Sequence, residues 1–375
     1  MTDNIPRLVL FPENTAVNKQ GHLVIGGCDT VALAREFGTP LYIFDELSLR
    51  RKLAEYKTEF NRHYPGVTVL YAAKAFMNRA MALLVKDESI GMDVVSGGEM
   101  GIALSAGFPM EKIFFHGNNK SAEELTQALE CGVGRIVVDN FHELKMLDRI
   151  AGEKKCKPDI LLRITPGVDV HAHQYAITGN VDSKFGFPLV TAEEAVTTAM
   201  SMPNLNLLGL HFHIGSLIFE NEPYQQSIEF ILTLAAKMKQ KHGFELKELD
   251  IGGGYAVQYN LESPAPPVSF FAKSLTASVI EQCQRLNLPL PALFIEPGRS
   301  IVARAGVAIY TVGVVKEVPG VRCYVSVDGG MADNIRPALY GARQEALLAN
   351  KVRAKETGKF TISGKFCESG DILIK

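Results

Sequence analysis

The sequence predicts an α/β protein whose main domain is a (β/α)8 TIM barrel, followed by a second, mainly β domain. Short runs of β-branched and aromatic residues recur about eight times between residues 67 and 296, separated by stretches of helical periodicity. After about residue 300, apolar residues instead alternate with a period of two. A doubly wound open sheet shows the same alternation of elements, but eight strands with crossover helices and no obvious edge favour the barrel.

The predicted barrel strands end in polar residues or glycine, and their spacing fits strand–helix units. The first five follow one another at about 20 to 25 residues, and later gaps of about 40 to 50 residues leave room for insertions. The strands are predicted at Val67–Tyr71, Met92–Val95, Ile113–His116, Arg135–Val138, Asp159–Ile164, Leu207–His213, Leu246–Ile251 and Leu293–Glu296.

Three segments between these strands carry helix signals. Ser121–Glu124 and Thr191–Glu194 have the form of capping boxes, in which a hydroxyl and a carboxylate satisfy backbone amides of the first turn. Between Tyr224 and His242, the apolar residues keep to one helical face. Helices are therefore predicted to begin at the two boxes and to fill residues 224–242.

The chain divides into an N-terminal segment (residues 1–40), the barrel (41–299) and the β domain (300–375). Two extended runs, Leu8–Phe11 and His22–Ile25, precede a predicted helix at Val31–Phe37. We expect these runs to contribute to the β domain, which would bring the chain ends together. Within the β domain, Pro337–Lys351 interrupts the strand pattern with a helical one.

Composition and charge exclude several classes of protein. Hydrophobic residues make up 47% and charged residues 21%, as in ordinary globular proteins, which excludes a disordered or collagen-like chain. Lys and Arg number 39 against 41 Asp and Glu, so the net charge of −2 predicts no nucleic-acid or membrane partner. No signal peptide or apolar run of about 18 residues is found, which predicts a cytoplasmic protein. The six cysteines include no CxxC pair, which predicts buried thiols and neither zinc nor disulfides.

In barrels of this type the active site lies at the C-terminal strand ends, and three ionisable residues on or directly after predicted strands are candidates for it. Lys74 follows the first strand. A lysine there is most often solvated, but inside a barrel mouth its amine would be partly desolvated and able to form an imine with a carbonyl compound. Asp93 lies on the second strand. Glu296 ends the eighth, where burial requires a cation or a protonated ring nitrogen as partner.

Glycine turns follow the seventh and eighth strands. The run Gly252–Gly254 lets backbone amides approach a phosphate closely, although a tight turn is the alternative explanation for the run alone. Pro297–Arg299 adds amides and a guanidinium at the next strand. Because such barrels commonly bind phosphate near strands seven and eight, the two turns together predict a phosphate site.

Two histidines, His211 and His213, end the sixth strand. They lie two residues apart on one face without an evident third ligand, so no metal site is predicted. A histidine that stacks on an aromatic cofactor ring needs no third ligand. A lysine, a stacking histidine, a phosphate site and a buried carboxylate together predict a site for pyridoxal phosphate.

The chain also resembles a known family, the diaminopimelate decarboxylases, which are barrel-fold pyridoxal-phosphate enzymes like ornithine decarboxylase and alanine racemase. The matching motifs span most of the chain in the family's order. They are YAAKAF (71–76), DVVSGGEM (93–100), HGNNKS (116–121), HFHIGS (211–216), DIGGGY (250–255), EPGRSI (296–301), VDGGMADNIRPALY (327–340) and CESGD (367–371).

The resemblance implies a role for each residue of the cofactor site. Lys74 would bind the cofactor covalently, His213 would stack on its ring, and Glu296 would bind the ring nitrogen. A carboxylate there keeps the nitrogen protonated, so that the ring accepts the electron pair left on Cα as CO2 departs, whereas alanine racemase has an arginine at this place. The other implied cofactor contacts are Asp93, Ser216, Gly252, Gly253, Gly254, Gly298 and Arg299.

Substrate contacts and a partner subunit are implied in the same way. Arg336 and Tyr340, with Arg299, are similar to the residues that hold the distal carboxylate of diaminopimelate, and guanidinium suits carboxylate through bidentate hydrogen bonds. Ornithine decarboxylase has an acidic residue in place of Arg336, which matches a distal amine. Cys367 and Glu368 resemble the pair that the second subunit supplies, the cysteine to protonate Cα and the glutamate to bind substrate. The resemblance therefore implies a homodimer with shared active sites.

The chain departs from the family pattern at a few positions. Phe76, Leu217 and Ala332 stand where asparagine, glutamine and asparagine are usual, and none of these changes removes a group needed for the reaction. The family also continues beyond the position of Lys375 through a motif whose tyrosine contacts cofactor and substrate. We expect either a fragment of a longer chain or, if the contact is lacking, an incomplete β domain and weakened activity.

The activity implied is the pyridoxal-phosphate-dependent decarboxylation of meso-2,6-diaminopimelate to L-lysine and CO2, the last step of lysine biosynthesis. One alternative is a related decarboxylase acting on carboxynorspermidine, ornithine, arginine or a siderophore precursor. Another is a non-catalytic protein that resembles the enzyme and only binds partners. Lys74, Glu296 and Cys367 argue against the non-catalytic alternative.

Overall fold

A computed structural model describes residues 5–168, 182–355 and 357–375. The chain forms two compact units. The barrel unit comprises Lys52–Ala256 and Pro266–Ser300, and the β unit comprises Met1–Arg51, Val257–Ala265 and Ile301–Lys375. Among the described residues, every helix is too short or too polar to cross a bilayer.

The described β-strands are short, as is usual in barrels and small sheets. In chain order they are β1 Ala16–Val17, β2 Leu23–Ile25, β3 Cys28–Asp29, β4 Leu41–Phe44, β5 Thr68–Ala72, β6 Gly91–Val94, β7 Ile113–Phe115, β8 Arg135–Val138, β9 Asp159–Thr165, β10 Phe187–Pro188, β11 Asn206–His211, β12 Glu248–Asp250, β13 Ala292–Ile295, β14 Gly306–Ile309, β15 Val312–Val318, β16 Arg322–Val327, β17 Thr361–Ser363 and β18 Ile372–Ile374.

The α-helices of the described residues alternate with the barrel strands. They are α1 Thr30–Phe37, α2 Glu46–His63, α3 Arg79–Asp87, α4 Gly97–Ser105, α5 Ala122–Cys131, α6 Phe141–Lys154, α7 Leu189–Ser201, α8 Glu222–His242, α9 Val268–Arg285, α10 Arg299–Val302 and α11 Arg336–Tyr340.

Parallel strands of the barrel unit close into a ring of eight. Their order is β5-β6-β7-β8-β9-β11-β12-β13, and β13 returns to β5 with Ile295 opposite Val69. The two-residue β10 pairs with β9 beside this ring. The observed bounds lie within two residues of the eight predicted strands. The predicted (β/α)8 barrel is therefore confirmed.

Apolar side chains from six of the barrel strands form one buried cluster. Within it the rings of Phe114 and Phe294 lie 4.9 Å apart between centroids. Apolar packing along the strands leaves the polar chemistry to the residues at their C-terminal ends. The cluster contains Leu70, Phe114, Val137, Leu161, Leu208 and Phe294.

The predicted helix starts are confirmed in one case and wrong in another. Ser121 and Glu124 form a reciprocal capping box at the start of α5. The box predicted at Thr191 is wrong, because α7 already begins at Leu189, directly after Pro188. Thr191 therefore lies inside the first turn, where its hydroxyl donates to the Pro188 carbonyl at 3.2 Å. The helix predicted over residues 224–242 is α8.

The described residues of the β unit form three small sheets. β1, β2 and β3 form an antiparallel sheet, β4 pairs with β14, and β15-β16-β17-β18 form a four-stranded sheet. The N-terminal segment contributes to this unit, because the Leu23 amide donates to the Ala349 carbonyl at 2.7 Å and the Val352 amide to the Gly21 carbonyl at 3.0 Å.

Three local expectations are wrong, two of them in the β unit. The extended run predicted at Leu8–Phe11 is replaced by a 3-10 helix over Pro6–Leu10. Of the helix predicted over Pro337–Lys351, only α11 forms, because Gly341 takes a left-handed conformation with φ of 59° and ends it. The thiols expected to be buried are mostly not, since Cys283 alone of the six free cysteines is buried.

Candidate active site at the C-terminal strand ends

Lys74 lies on a turn that packs against the end of β13. A 3-10 turn, Ala73–Ala75, follows β5, and the Tyr71 hydroxyl fixes it by donating to the Phe76 carbonyl at 2.6 Å. A Cβ on Gly298 would come within 2.8 Å of the Ala72 Cβ, so glycine permits the close approach of the two strand ends. The Lys74 side chain is exposed, unlike the partly desolvated amine expected from the sequence, because it stands on a turn beyond the strand.

Glu296 is the acidic group at the centre of the strand ends. Its side chain is 3% exposed, with Oε1 2.7 Å from Nε2 of His116 and Oε2 3.3 Å from Nε2 of His211. Burial by itself would raise the pKa of Glu296, but the two imidazoles hold that pKa well below its usual value. Glu296 is therefore an ionised carboxylate held at both oxygens.

His211 is neutral in this cluster. It is fully buried, and burial lowers its pKa to about 3, against the opposing attraction of Glu296. A neutral imidazole still has one N–H to donate, so His211 supports the carboxylate by hydrogen bonding rather than by charge.

Two further buried carboxyl groups, Asp93 on β6 and Asp250 on β12, lie on other barrel strands. Burial raises the pKa of Asp93, an effect that His116 and Lys74 oppose. Burial and the charge of Glu296 raise the pKa of Asp250, whose Oδ1 accepts the Gly252 amide at 2.8 Å. Three carboxyl groups this close favour ionisation at one of them, and Glu296 has the imidazole partners.

His213 differs from His211 in its partner. Its Nδ1 accepts a hydrogen bond from the Gly253 amide at 3.2 Å, so the proton of the neutral ring is on Nε2. Burial and the nearby Lys74 ammonium lower the pKa of His213 well below its usual value. The structure thus places the predicted stacking histidine in the same cluster of strand ends as the predicted lysine.

The glycine turn after β12 is tightly enclosed by backbone. A Cβ at Gly253 would lie 1.9 Å from the Glu296 carbonyl oxygen, and one at Gly254 would lie 2.1 Å from the Gly215 carbonyl oxygen. Beside this turn, the Arg299 Nε donates to the Ser216 hydroxyl at 2.9 Å. The residues predicted to bind phosphate are therefore close together in the barrel unit.

The other predicted site residues belong to the β unit. Arg336 and Tyr340 lie on α11, with the guanidinium carbon 5.4 Å from the centroid of the Tyr340 ring. Cys367 is exposed, and Oε1 of Glu368 accepts the Ser369 hydroxyl and the Gly370 amide, each at 3.3 Å.

The sequence did not identify every member of the cluster. His116, His211 and Asp250, with Glu296, bring one ligand atom each within 4.8 Å of one another, whereas the sequence offered only His211 and His213 as a pair. Arg163 on β9 was also missed; it is buried, 4.0 Å from Asp139 and stacked on the Phe185 ring at 4.4 Å. The signal that could have identified His116 is its position in the sequence, since it lies at a predicted strand end, as His211 does.

Comparison with known proteins gives the family of the chain. Residues 47–303 match the family described as pyridoxal-dependent decarboxylase, pyridoxal binding domain, which defines the class of the chain. The diaminopimelate decarboxylase of Bacillus methanolicus is 47% identical over 97% of this chain and 85% of its own length. That of Bacillus subtilis (strain 168) is 45% identical over 95% of this chain and 82% of its own. The chain belongs to the diaminopimelate decarboxylase family.

Solved structures confirm the fold. Diaminopimelate decarboxylase from M. jannaschii, in complex with L-lysine, has a TM-score of 0.88 at 31% identity, covering 97% of this chain and 84% of that one. The Helicobacter pylori enzyme, also complexed with L-lysine, has a TM-score of 0.83 at 32% identity, covering 92% and 84%.

Pyridoxal phosphate is the cofactor of this family, and the residues present fit it. Lys74 supplies an amine for the aldehyde, and Glu296 supplies an ionised carboxylate for a protonated ring nitrogen. The Arg299–Ser216 pair and the glycine turn supply the polar groups that a phosphate needs.

Proposed function

We propose that this chain decarboxylates meso-2,6-diaminopimelate to L-lysine and CO2 with pyridoxal phosphate, the last step of lysine biosynthesis. The observation that carries the proposal is the buried, ionised Glu296, which directly follows β13, the strand that pairs with β5, the strand that leads to Lys74. The diaminopimelate decarboxylases that match nearly the whole chain support the choice of substrate.

The barrel unit holds the cofactor in this proposal. Lys74 binds it covalently, His213 stacks on its ring, and Ser216 and Arg299 bind its phosphate together with the glycine turn. Asp93, beside His116, helps to set the charge of the cluster. When bound, pyridoxal phosphate supplies an electron sink for the pair left on Cα after loss of CO2.

Glu296 decides the type of reaction. An ionised carboxylate keeps a proton at the ring nitrogen, which strengthens the electron sink and favours decarboxylation over the racemisation expected with an arginine there. His116 and His211 orient the carboxylate from both sides.

Substrate choice rests on a distal carboxylate. Arg336 offers a guanidinium fork for it, and Tyr340 and Arg299 complete the contacts. A substrate with a distal amine, such as ornithine, finds no acidic partner in this set.

A second subunit completes the site in this proposal. Cys367 protonates Cα after CO2 leaves, and Glu368 binds substrate, each in the active site of the partner subunit of a homodimer. Mixing the inactive Lys74→Ala and Cys367→Ala dimers tests this sharing. A hybrid dimer has one intact active site of two, and about half of the dimers are hybrids at equal mixing. About a quarter of the wild-type activity should therefore return. No recovery, with hybrid formation verified, contradicts sharing.

The proposed location is the cytoplasm. The six cysteines are free thiols, as the reducing conditions of that compartment favour.

Two measurements test the proposed reaction. Borohydride should remove the visible absorbance band of the lysine–cofactor linkage and leave the label on Lys74, which a non-catalytic protein without cofactor would not show. Turnover of diaminopimelate should then exceed that of ornithine and arginine. A preference for either of these monocarboxylates would contradict the role of Arg336.

A further inference from the structure

Two tyrosine rings lie close to the guanidinium of Arg336. Its central carbon lies 5.3 Å from the ring centroid of Tyr259 and 5.4 Å from that of Tyr340. Both distances lie within the range of cation–π attraction. Tyr340 was assigned to the substrate site from the sequence, whereas nothing so far accounts for Tyr259.

The two rings come from different parts of the β unit. Tyr340 is four residues from Arg336 on α11, so one helix face presents both side chains. Tyr259 belongs to Val257–Ala265, the segment between β12 and α9 that joins the β unit rather than the barrel unit. Tyr259 and Arg336 are both partly exposed, so neither is an ordinary core residue.

The contact between the Tyr259 ring and the Arg336 guanidinium joins this segment to α11. An ion pair between the same segment and the residues after α11, Arg343 to Glu262 at 3.0 Å, has side chains 77% and 78% exposed. Such exposed pairs contribute little. A guanidinium against an aromatic ring is restrained at its face, and its N–H groups lie along its edge, which is the geometry that a bidentate carboxylate requires.

We propose that Tyr259 is a specificity-determining residue, which orients the Arg336 guanidinium for the distal carboxylate of the substrate. This inference rests on the proposed function, since it needs a dicarboxylic amino acid as substrate. Restraining the guanidinium before binding lowers the entropy lost when the carboxylate binds. Tyr259 acts through Arg336 and is a positioning residue.

Tyr259→Leu tests the inference, with Tyr259→Phe as the conservative variant. Tyr259→Leu should raise KM for diaminopimelate roughly 3- to 30-fold with kcat within about twofold, the range set by loss of one cation–π contact. Tyr259→Phe keeps the ring and should restore KM. Glu262→Gln, on the same segment, is the matched control and should behave as the parent.

Inhibition by L-lysine and by cadaverine separates positioning from general disturbance of the site. L-lysine keeps the distal carboxylate, because the CO2 that leaves comes from the carbon joined to the cofactor, whereas the diamine cadaverine has no carboxylate. Tyr259→Leu should therefore raise the inhibition constant of L-lysine about as much as KM and leave that of cadaverine unchanged. An equal rise in KM and in the inhibition constant of cadaverine would overturn the inference, as would an unchanged KM.

Arg336→Met separates failure of the inference from failure of the proposed function. If Arg336→Met raises KM for diaminopimelate and Tyr259→Leu does not, the inference fails and the proposed function stands. If Arg336→Met itself leaves KM unchanged, the assignment of the distal carboxylate is wrong, and the inference fails with it.

Discussion

His116 and Glu296 face each other across the strand ends of the barrel, with Nε2 of the imidazole 2.7 Å from Oε1 of the carboxylate. His211 lies on the other carboxylate oxygen. A carboxylate supported on both oxygens keeps lone pairs for a third donor and does not need to reorganise when that donor arrives. This arrangement suits a group that holds a proton on a cofactor ring nitrogen.

Glu296→Gln should lower kcat by about a hundredfold or more, because a neutral amide does not hold the proton at the ring nitrogen. The absorbance spectrum of the bound cofactor should change as well. Steady-state turnover and spectra of the fully loaded variant measure both effects. Glu296→Asp keeps the charge on a shorter side chain and should lose less. A kcat within threefold of the parent, with full cofactor loading, would contradict the role of the carboxylate.

The burial of neutral His211 predicts a dependence of stability on pH. The pKa of His211 falls from 6.5 to about 3 in the folded chain. Between these values the unfolded chain binds a proton that the folded chain does not, so the free energy of unfolding falls as the pH falls. This group accounts for about 2 kcal/mol of loss at pH 5.

His211→Asn should therefore make the loss of stability from pH 7 to pH 5 smaller by about 2 kcal/mol. Urea unfolding at several pH values measures the loss. His242→Asn, at an exposed position on α8, removes a histidine without touching the cluster and serves as the control. If the His211 variant and the parent have the same pH dependence, His211 is not buried as a neutral ring.

The barrel was predictable from sequence because its signals are local. Each strand is a short apolar run, and Ser121 and Glu124 specify the start of α5 by contacts within one turn. The candidate lysine, glycines and carboxylate were found because each stands directly after such a run. Position along the chain is sufficient where every strand end points to the same face.

The remaining features depend on contacts that position along the chain does not show. His116 and Glu296 are 180 positions apart in the sequence, and only the closed ring of strands brings them into contact. Thr191 has the pattern of a cap, but a helix already begins after Pro188 and places it in the first turn. Tyr259 follows the glycine motif without any signal of its own, and only the folded β unit brings it to Arg336.

The glycine turn gives a prediction about packing. Gly253→Ala should lower the free energy of unfolding by about 2 to 3 kcal/mol, because its Cβ would lie 1.9 Å from the Glu296 carbonyl oxygen. Cofactor affinity should fall as well, since the displaced backbone carries Glu296. Denaturant unfolding and cofactor titration measure the two effects. Gly101→Ala, on α4 with no atom within 4 Å of the added Cβ, should instead gain up to about 1 kcal/mol. If Gly253→Ala and Gly101→Ala changed the free energy of unfolding equally, the close approach of Gly253 to the Glu296 carbonyl would be contradicted.

Lys120 gives the last prediction, which concerns stability. Its Nζ donates to the Gly117 and Val137 carbonyls and to Oε1 of Glu143, and both charged side chains are at most 2% exposed. Lys120→Met would leave a buried carboxyl without its cation, so it should cost about 3 to 5 kcal/mol. Burial already raises the pKa of Glu143, and Lys120 opposes that rise. Without the lysine, the pKa of Glu143 in the folded chain rises further, so the folded chain keeps this proton to a higher pH than the unfolded chain does. The destabilisation caused by Lys120→Met should therefore grow as the pH rises.

A double-mutant cycle separates the loss of Lys120 from the stranded charge of Glu143. Lys120→Met combined with Glu143→Gln should be less destabilising than the sum of the single variants, because the amide needs no counter-ion. Lys237→Met removes the lysine of an exposed ion pair with Glu193 and is the matched control, with an expected change below about 1 kcal/mol. If Lys120→Met costs no more than this control, the buried pair does not stabilise the barrel. If the effects of the two single variants on the free energy of unfolding simply add in the double variant, Glu143 bears no unpaired charge in Lys120→Met.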